Sequence, residues 1–121
     1  EKFVEKALVL FDLNKHRVEK SYFDELDQLA YTLKKNPSAT LYIGAHADAQ
    51  GTSEYNLRLS NRRAAELQKY FVAKGIATSR IEAIGFGEEL LLNQCSDGVE
   101  CHESEHQYNR RAEIKVQMPE D

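Results

Sequence analysis

Apolar positions along this chain switch between two periods. The run Ala7-Leu8-Val9-Leu10, within Phe3 to Leu10, is short and continuous and predicts a strand, and Phe11-Asp12-Leu13-Asn14 then reads as a loop. From about Ser21 the period becomes helical: Leu26, Leu29, Ala30 and Leu33 fall on one face. Ser21 with Asp24 predicts a capping box, Lys34-Lys35 suits the negative end of the helix dipole, and Asn36-Pro37 stops the helix. Thr40 to Ala47 alternates as a strand, with Leu41, Ile43 and Ala45 on one side and Tyr42 and Gly44 on the other.

Gly51-Thr52-Ser53 opens a second helix that runs to about Lys74 and closes at Gly75. Leu57, Ala64, Leu67 and Phe71 are its predicted buried stripe. Arg80 to Gly85 is a third strand, and Gly85-Phe86-Gly87 starts a polar loop that continues to Gln107. Ala112-Glu113-Ile114-Lys115-Val116 alternates as a last, half-exposed strand. The order β-α-β-α-β-β predicts an α+β fold, one two-layer sandwich over residues 1–121 with two helices on one face of a small sheet.

Composition narrows the class. The 121 residues, 41% of them hydrophobic, suit a single core. The net charge of -4 argues against a general nucleic-acid binder, which needs a basic excess. No apolar run approaches the roughly 20 residues of a membrane span. Glu1 opens directly into Lys2-Phe3-Val4, with no signal peptide, so we expect either a cytosolic protein or a domain cut from a longer one.

Cys95 and Cys101 bracket a short polar segment with Asp97-Gly98 as its turn. A disulfide here would clamp a loop with little apolar content, and such bridges persist in oxidising compartments. Two free thiols are one alternative. A metal site is the other, because His102 and His106 follow at an i, i+4 spacing, but no second ligand pair exists elsewhere. The histidines, and the acidic residues Asp97, Glu100, Glu103 and Glu105, read as solvated, with no calcium-loop spacing.

The polar residues of the second helix are the sharper signal. Asn56, Ser60 and Arg63 line one side of it, about 100° from the apolar stripe, at the edge of the core. Asp48 precedes them on the turn Asp48-Ala-Gln-Gly51. An aspartate and an arginine flanking one pocket suit a zwitterion: the carboxylate accepts from an ammonium, and the guanidinium fork holds a carboxylate. An internal Asp48–Arg63 salt bridge, or a helix cap by Asp48, fits the same spacing. No catalytic set is legible. His46 falls on the strand face away from Ala45 and reads as a packing histidine, and Gly85-Phe-Gly87 is incomplete as a phosphate loop.

These residues carry a resemblance. Ala45-His46-Ala47-Asp48-Ala49-Gln50-Gly51, followed by Tyr55-Asn56-Leu57-Arg58-Leu59-Ser60-Asn61-Arg62-Arg63-Ala64, resembles the signature of OmpA-like peptidoglycan-binding domains, the family of the OmpA C-terminal domain, the Pal lipoprotein and the MotB stator. The likeness extends to Phe11-Asp12-Leu13-Asn14-Lys15, Gly75-Ile76 through Arg80-Ile81, Gly85-Phe86-Gly87-Glu88 and Asn109-Arg110-Arg111-Ala112-Glu113-Ile114, almost the whole chain in order. The cysteine loop with His102 to Gln107 is similar to versions of the domain in Bacteroidetes outer-membrane proteins.

The resemblance implies a mixed sheet and non-covalent binding of the peptidoglycan stem peptide through meso-diaminopimelate, whose free end bears an ammonium and a carboxylate on one carbon. It places Asp48 and Arg63 on that end, Asn56 in a supporting position and Arg110 as a second contact. Asp12, Leu13 and Asn14 border the pocket, and Leu59 lines its wall. It implies no enzyme activity, no cofactor and no metal. The implied role is to anchor an outer-membrane or periplasmic assembly to the cell wall, the parent protein lying in the periplasm and tethered to the outer membrane. The competing reading is a structural protein-interaction domain with an internal Asp48–Arg63 pair. Where the family commonly has Gly-His-Thr-Asp, this chain has Ala45-His46-Ala47-Asp48, which removes a hydroxyl near the pocket, and the proline usual after Gly-Glu is replaced by Glu89.

Overall fold

The computed structural model describes residues 2–119. Its four strands are β1 (Lys2–Leu10), β2 (Thr40–Ala45), β3 (Ile81–Gly85) and β4 (Arg111–Met118), and its helices are α1 (Phe23–Lys35), α2 (Ser53–Ala73) and the short α3 (Glu103–Gln107). The strands form one mixed sheet in the order β1-β4-β2-β3, with β2 parallel to β3 and β4 antiparallel to both β1 and β2. The last strand of the chain is therefore inserted between the first two.

Period-2 alternation puts Val9, Leu41, Ile43, Ala45, Ala112, Ile114 and Val116 on one face, fully buried against Leu26, Leu29 and Leu33 of α1 and Ala64, Leu67 and Phe71 of α2. The two-layer α+β arrangement matches the expectation. Arg80 ties its layers together: its guanidinium donates to the carbonyls of Leu33, Asn36 and Ala39.

Two local readings differ. The Ser21/Asp24 capping box is absent; Lys20–Tyr22 form a 3₁₀ turn that runs directly into α1, and the N-cap Tyr22 makes no side-chain cap bond. In α2, Thr52 is the N-cap, its hydroxyl accepting from the Tyr55 N–H at 3.1 Å. Leu57 is 46% exposed and does not belong to the buried stripe of α2. There the inward face is Asn56, Leu59, Ser60 and Arg63, because the first turns of α2 pack on loops rather than on the sheet. The close approach is fixed at Gly85, where a Cβ would lie 2.5 Å from the Asn61 nitrogen.

Strand register brings four loops to one end of the sheet. Leu10 pairs with Arg111, and Ala45 pairs with both Ala112 and Gly85. The Phe11 N–H donates to the Arg110 carbonyl, the His46 N–H to that of Arg111 and the Phe86 N–H to that of Ala45. Residues 11–15, 46–52, 86–88 and 107–111 therefore converge beside the first turns of α2.

Candidate functional site

Asp48 lies three residues beyond β2, its side chain almost completely buried. Its Oδ1 accepts from the Gln50 N–H at 2.9 Å, an Asx-type turn that leads the chain toward α2. Its Oδ2 accepts from Gln50 Nε2 and from Arg110 Nη1, each at 2.9 Å. The expected alternative of an internal Asp48–Arg63 salt bridge is thus corrected: the buried carboxylate pairs with Arg110, which the β1–β4 register delivers from the opposite side.

Arg63 is fully buried on α2. Its Nε donates to the Lys15 carbonyl at 2.8 Å, Nη1 to that of His46 at 2.8 Å and Nη2 to that of Asp12 at 3.1 Å. The guanidinium also lies 4.9 Å over the Phe11 ring. The fork expected to face a ligand carboxylate is instead directed in part to main-chain carbonyls, fastening the 11–15 loop to the end of β2. Burial lowers its pKa to about 10, the Arg110 charge pushing the same way and Asp48 opposing.

Arg110 is the hub. Nε donates to the Phe11 carbonyl at 2.9 Å, Nη1 to Asp48, and Nη2 to Glu103 Oε2 at 2.5 Å and Gln107 Oε1 at 2.7 Å. Burial works against its charge, but Glu103 and Asp48 more than offset this, and the guanidinium stays above its ordinary range. Two carboxylates and two guanidinium groups thus form a formally neutral cluster.

The other expected residues surround this cluster at different depths. Asn56 is buried and donates to Glu88 Oε1 at 3.0 Å; it does not contact Asp48. Burial raises the Glu88 pKa, and a hydrogen bond with Asp97 adds to it while Asn56 and Ser53 oppose. Leu59 is buried, Asp12 contributes its carbonyl, and Leu13 is 39% exposed on the same loop. Asn14 has φ 59° and accepts from the Tyr55 hydroxyl at 3.2 Å, so the loop is held from its outer side as well.

No nucleophile–base set appears among the described residues. The Ser60 hydroxyl donates to the Leu57 carbonyl and accepts from the Gly87 N–H. His46 is buried, stacks on Phe86 with centroids 5.2 Å apart, and has its pKa lowered to about 4 by burial and by Arg111. It is a packing histidine, as the sequence predicts, although β2 ends one residue before it, at Ala45.

Cys95 and Cys101 form a disulfide, Cα–Cα 6.0 Å. Sulfurs bonded to each other are not available as thiolate ligands, although the Glu105 carboxylate lies within 4.8 Å of both. Other readings of this loop need correction. His106 is buried rather than solvated, while His102 is exposed. Glu103 pairs with Arg110, and Glu105 accepts from the His102 N–H, because both fall on α3.

Gln50, Glu103, Gln107 and Phe11 escaped sequence reasoning. The Asp48-x-Gln50 spacing is an Asx-turn signal that makes Gln50 legible. Glu103 and Gln107 carry no such signal, since only the folded loop brings α3 onto Arg110. A cleft of about 550 Å³ between Lys6, Leu8, Glu25, Glu113 and Lys115 lies elsewhere, along β1 and β4, and includes none of the sequence-predicted site residues.

A mixed four-stranded sheet carrying two long helices, with a buried Asp-Arg-Arg cluster at one end, defines an OmpA-like domain. The OmpA family matches residues 10–104, and the chain belongs to it. It is 36% identical over 104 residues to the peptidoglycan-associated lipoprotein of Rhizobium meliloti, covering 86% of this chain and 56% of that protein. It is 32% identical to outer membrane porin F of Pseudomonas fluorescens, covering 90% of this chain and 32% of the porin. The chain thus spans about half the length of the curated lipoproteins it matches. Among solved structures, the peptidoglycan-associated lipoprotein from Burkholderia pseudomallei superposes with a TM-score of 0.82 at 31% identity, covering 91% of this chain and 89% of that one. The cell wall anchor of the T6SS from Pseudomonas aeruginosa shares the fold, with a TM-score of 0.71 at 22% identity and coverage of 98% and 86%.

Proposed function

We propose that this domain binds peptidoglycan non-covalently through the meso-diaminopimelate of the stem peptide and so anchors a longer envelope protein to the cell wall. The observation that carries the reading is the buried cluster of Asp48, Arg63 and Arg110, whose opposite charges suit a group with an ammonium and a carboxylate on one carbon. Family membership and relatives named peptidoglycan-associated lipoproteins support it. The role is binding, not catalysis, and needs no cofactor or metal. We place the domain in the periplasm, with the parent protein tethered to the outer membrane; the disulfide suits that oxidising compartment. The lineage we propose is Bacteroidetes, on the cysteine loop alone, beside relatives from Rhizobium, Pseudomonas and Burkholderia.

A second reading has one observation in its favour. Asp48 and both arginines are almost entirely buried and hydrogen-bonded within the chain, as in a structural ion network. Co-sedimentation with purified insoluble peptidoglycan separates the two. Anchoring predicts that the wild type pellets and that a folded Asp48→Asn variant stays in solution. A structural network predicts no pelleting by either protein and a lower melting temperature in the variant.

A further inference from the structure

Two solvent-facing side chains cover the buried charges, and their chemistry is complementary. Gln50 is half-buried and places an N–H donor on Asp48 Oδ2 at 2.9 Å. Glu103 is 64% exposed at its side chain and places a carboxylate on Arg110 Nη2 at 2.5 Å. The groups beneath are 3% and 2% exposed, so nothing in solution reaches them while these two stay in place. Resting on the zwitterion reading above, we propose that Gln50 and Glu103 form an internal gate that sets the selectivity of the site. Gln50 holds the place of the ligand's ammonium, and Glu103 holds the place of its carboxylate.

The neutral cluster explains why such a gate suits this chain. Displacing Glu103 by a carboxylate exchanges one anion for another, and displacing Gln50 by an ammonium gives Asp48 a charged donor in place of a neutral amide, so the buried guanidinium and carboxylate keep partners throughout. A ligand with an ammonium but no carboxylate can replace Gln50 only. It leaves the Glu103–Arg110 contact closed and gains half of the site. Glu103 stands at the first residue of α3, two positions after Cys101, so the Cys95–Cys101 bridge holds the carboxylate side of the gate near Arg110. Gln107, one turn along, supplies Arg110 Nη2 with a second acceptor that remains when Glu103 swings out.

Calorimetric titration of the wild type, Glu103→Ala, Glu103→Gln and Gln50→Ala with two stem peptides tests the gate, one ending in diaminopimelate and one in lysine. Removing the internal competitor raises the competent fraction, so Glu103→Ala binds the diaminopimelate peptide about three- to tenfold more tightly. Its affinity for the lysine peptide stays unchanged. Glu103→Gln shows a smaller gain on the same peptide, and Gln50→Ala gains with both. Equal or weaker binding of the diaminopimelate peptide by both Glu103 variants, in folded protein that otherwise binds, overturns the gate and leaves the zwitterion reading standing. No binding by the wild type or any variant overturns that reading and the gate together.

Discussion

Asp48 Oδ2 and Arg110 Nη1 lie 2.9 Å apart, both side chains almost completely removed from water. Between them they join the turn before α2 to the start of β4, segments 62 residues apart in the chain. Arg63, on the other side of the cluster, fastens three main-chain carbonyls. The cluster is therefore both a charged site and the clasp of its loops.

Removing one member of a buried pair leaves its partner unpaired. Arg110→Ala strands Asp48 and frees the Phe11 carbonyl, so we expect a loss of about 3–5 kcal/mol in denaturant unfolding. Arg110→Lys retains the charge but not the fork and falls between the two. A loss below about 1 kcal/mol for the alanine variant contradicts this account.

The buried His46 makes stability depend on pH. Its pKa is lowered from the usual 6.5 to about 4, chiefly by burial. Below about pH 6.5 the unfolded chain takes up a proton that the folded chain refuses, so stability falls as pH drops toward 4. We expect about 2–3 kcal/mol to be lost across that window. Urea melts of the wild type and His46→Gln between pH 4 and 7.5 check this; equal slopes for both proteins would remove His46 as the cause.

The disulfide closes a short loop, and the chain-entropy relation gives it about 2 kcal/mol. Cys95→Ser with Cys101→Ser lowers stability by that amount. Amide exchange quickens over residues 91–107, where Asn93 bonds Asn109 and the Glu105 carbonyl. Unchanged exchange in that segment contradicts the clamp.

Gly85→Ala tests the seat of α2. The new Cβ meets the Asn61 nitrogen at 2.5 Å and its Cα at 2.8 Å, both main-chain atoms that cannot turn aside. A loss of about 1–3 kcal/mol follows in thermal or urea melts, as in overpacked cores. A neutral substitution would mean that α2 shifts freely on β3.

Much of the fold was legible because period and burial agree: Leu26, Leu29, Ala30 and Leu33 on α1, and Leu41, Ile43 and Ala45 on β2, are buried as their spacing predicts. Leu57 failed because an apolar residue at helical spacing says nothing about whether sheet or loop lies opposite. The position of β4 between β1 and β2 is a long-range pairing that alternation does not encode. Within the site, Asp48, Arg63 and Arg110 were legible through spacing and motif. Their pairing was not, since the β1–β4 register and the fold of the 88–107 loop decide which arginine meets the aspartate.

The central claim is capture of a group with an ammonium and a carboxylate on one carbon. Calorimetric titration of the wild-type domain with a diaminopimelate stem peptide, against the same peptide with that carboxylate amidated, tests it most directly. The account predicts saturable one-to-one binding of the first and at least about tenfold weaker binding of the second, since a lost charged hydrogen-bond partner removes about 1.5–3 kcal/mol. Equal affinity for the two peptides, or no heat with either, would contradict it.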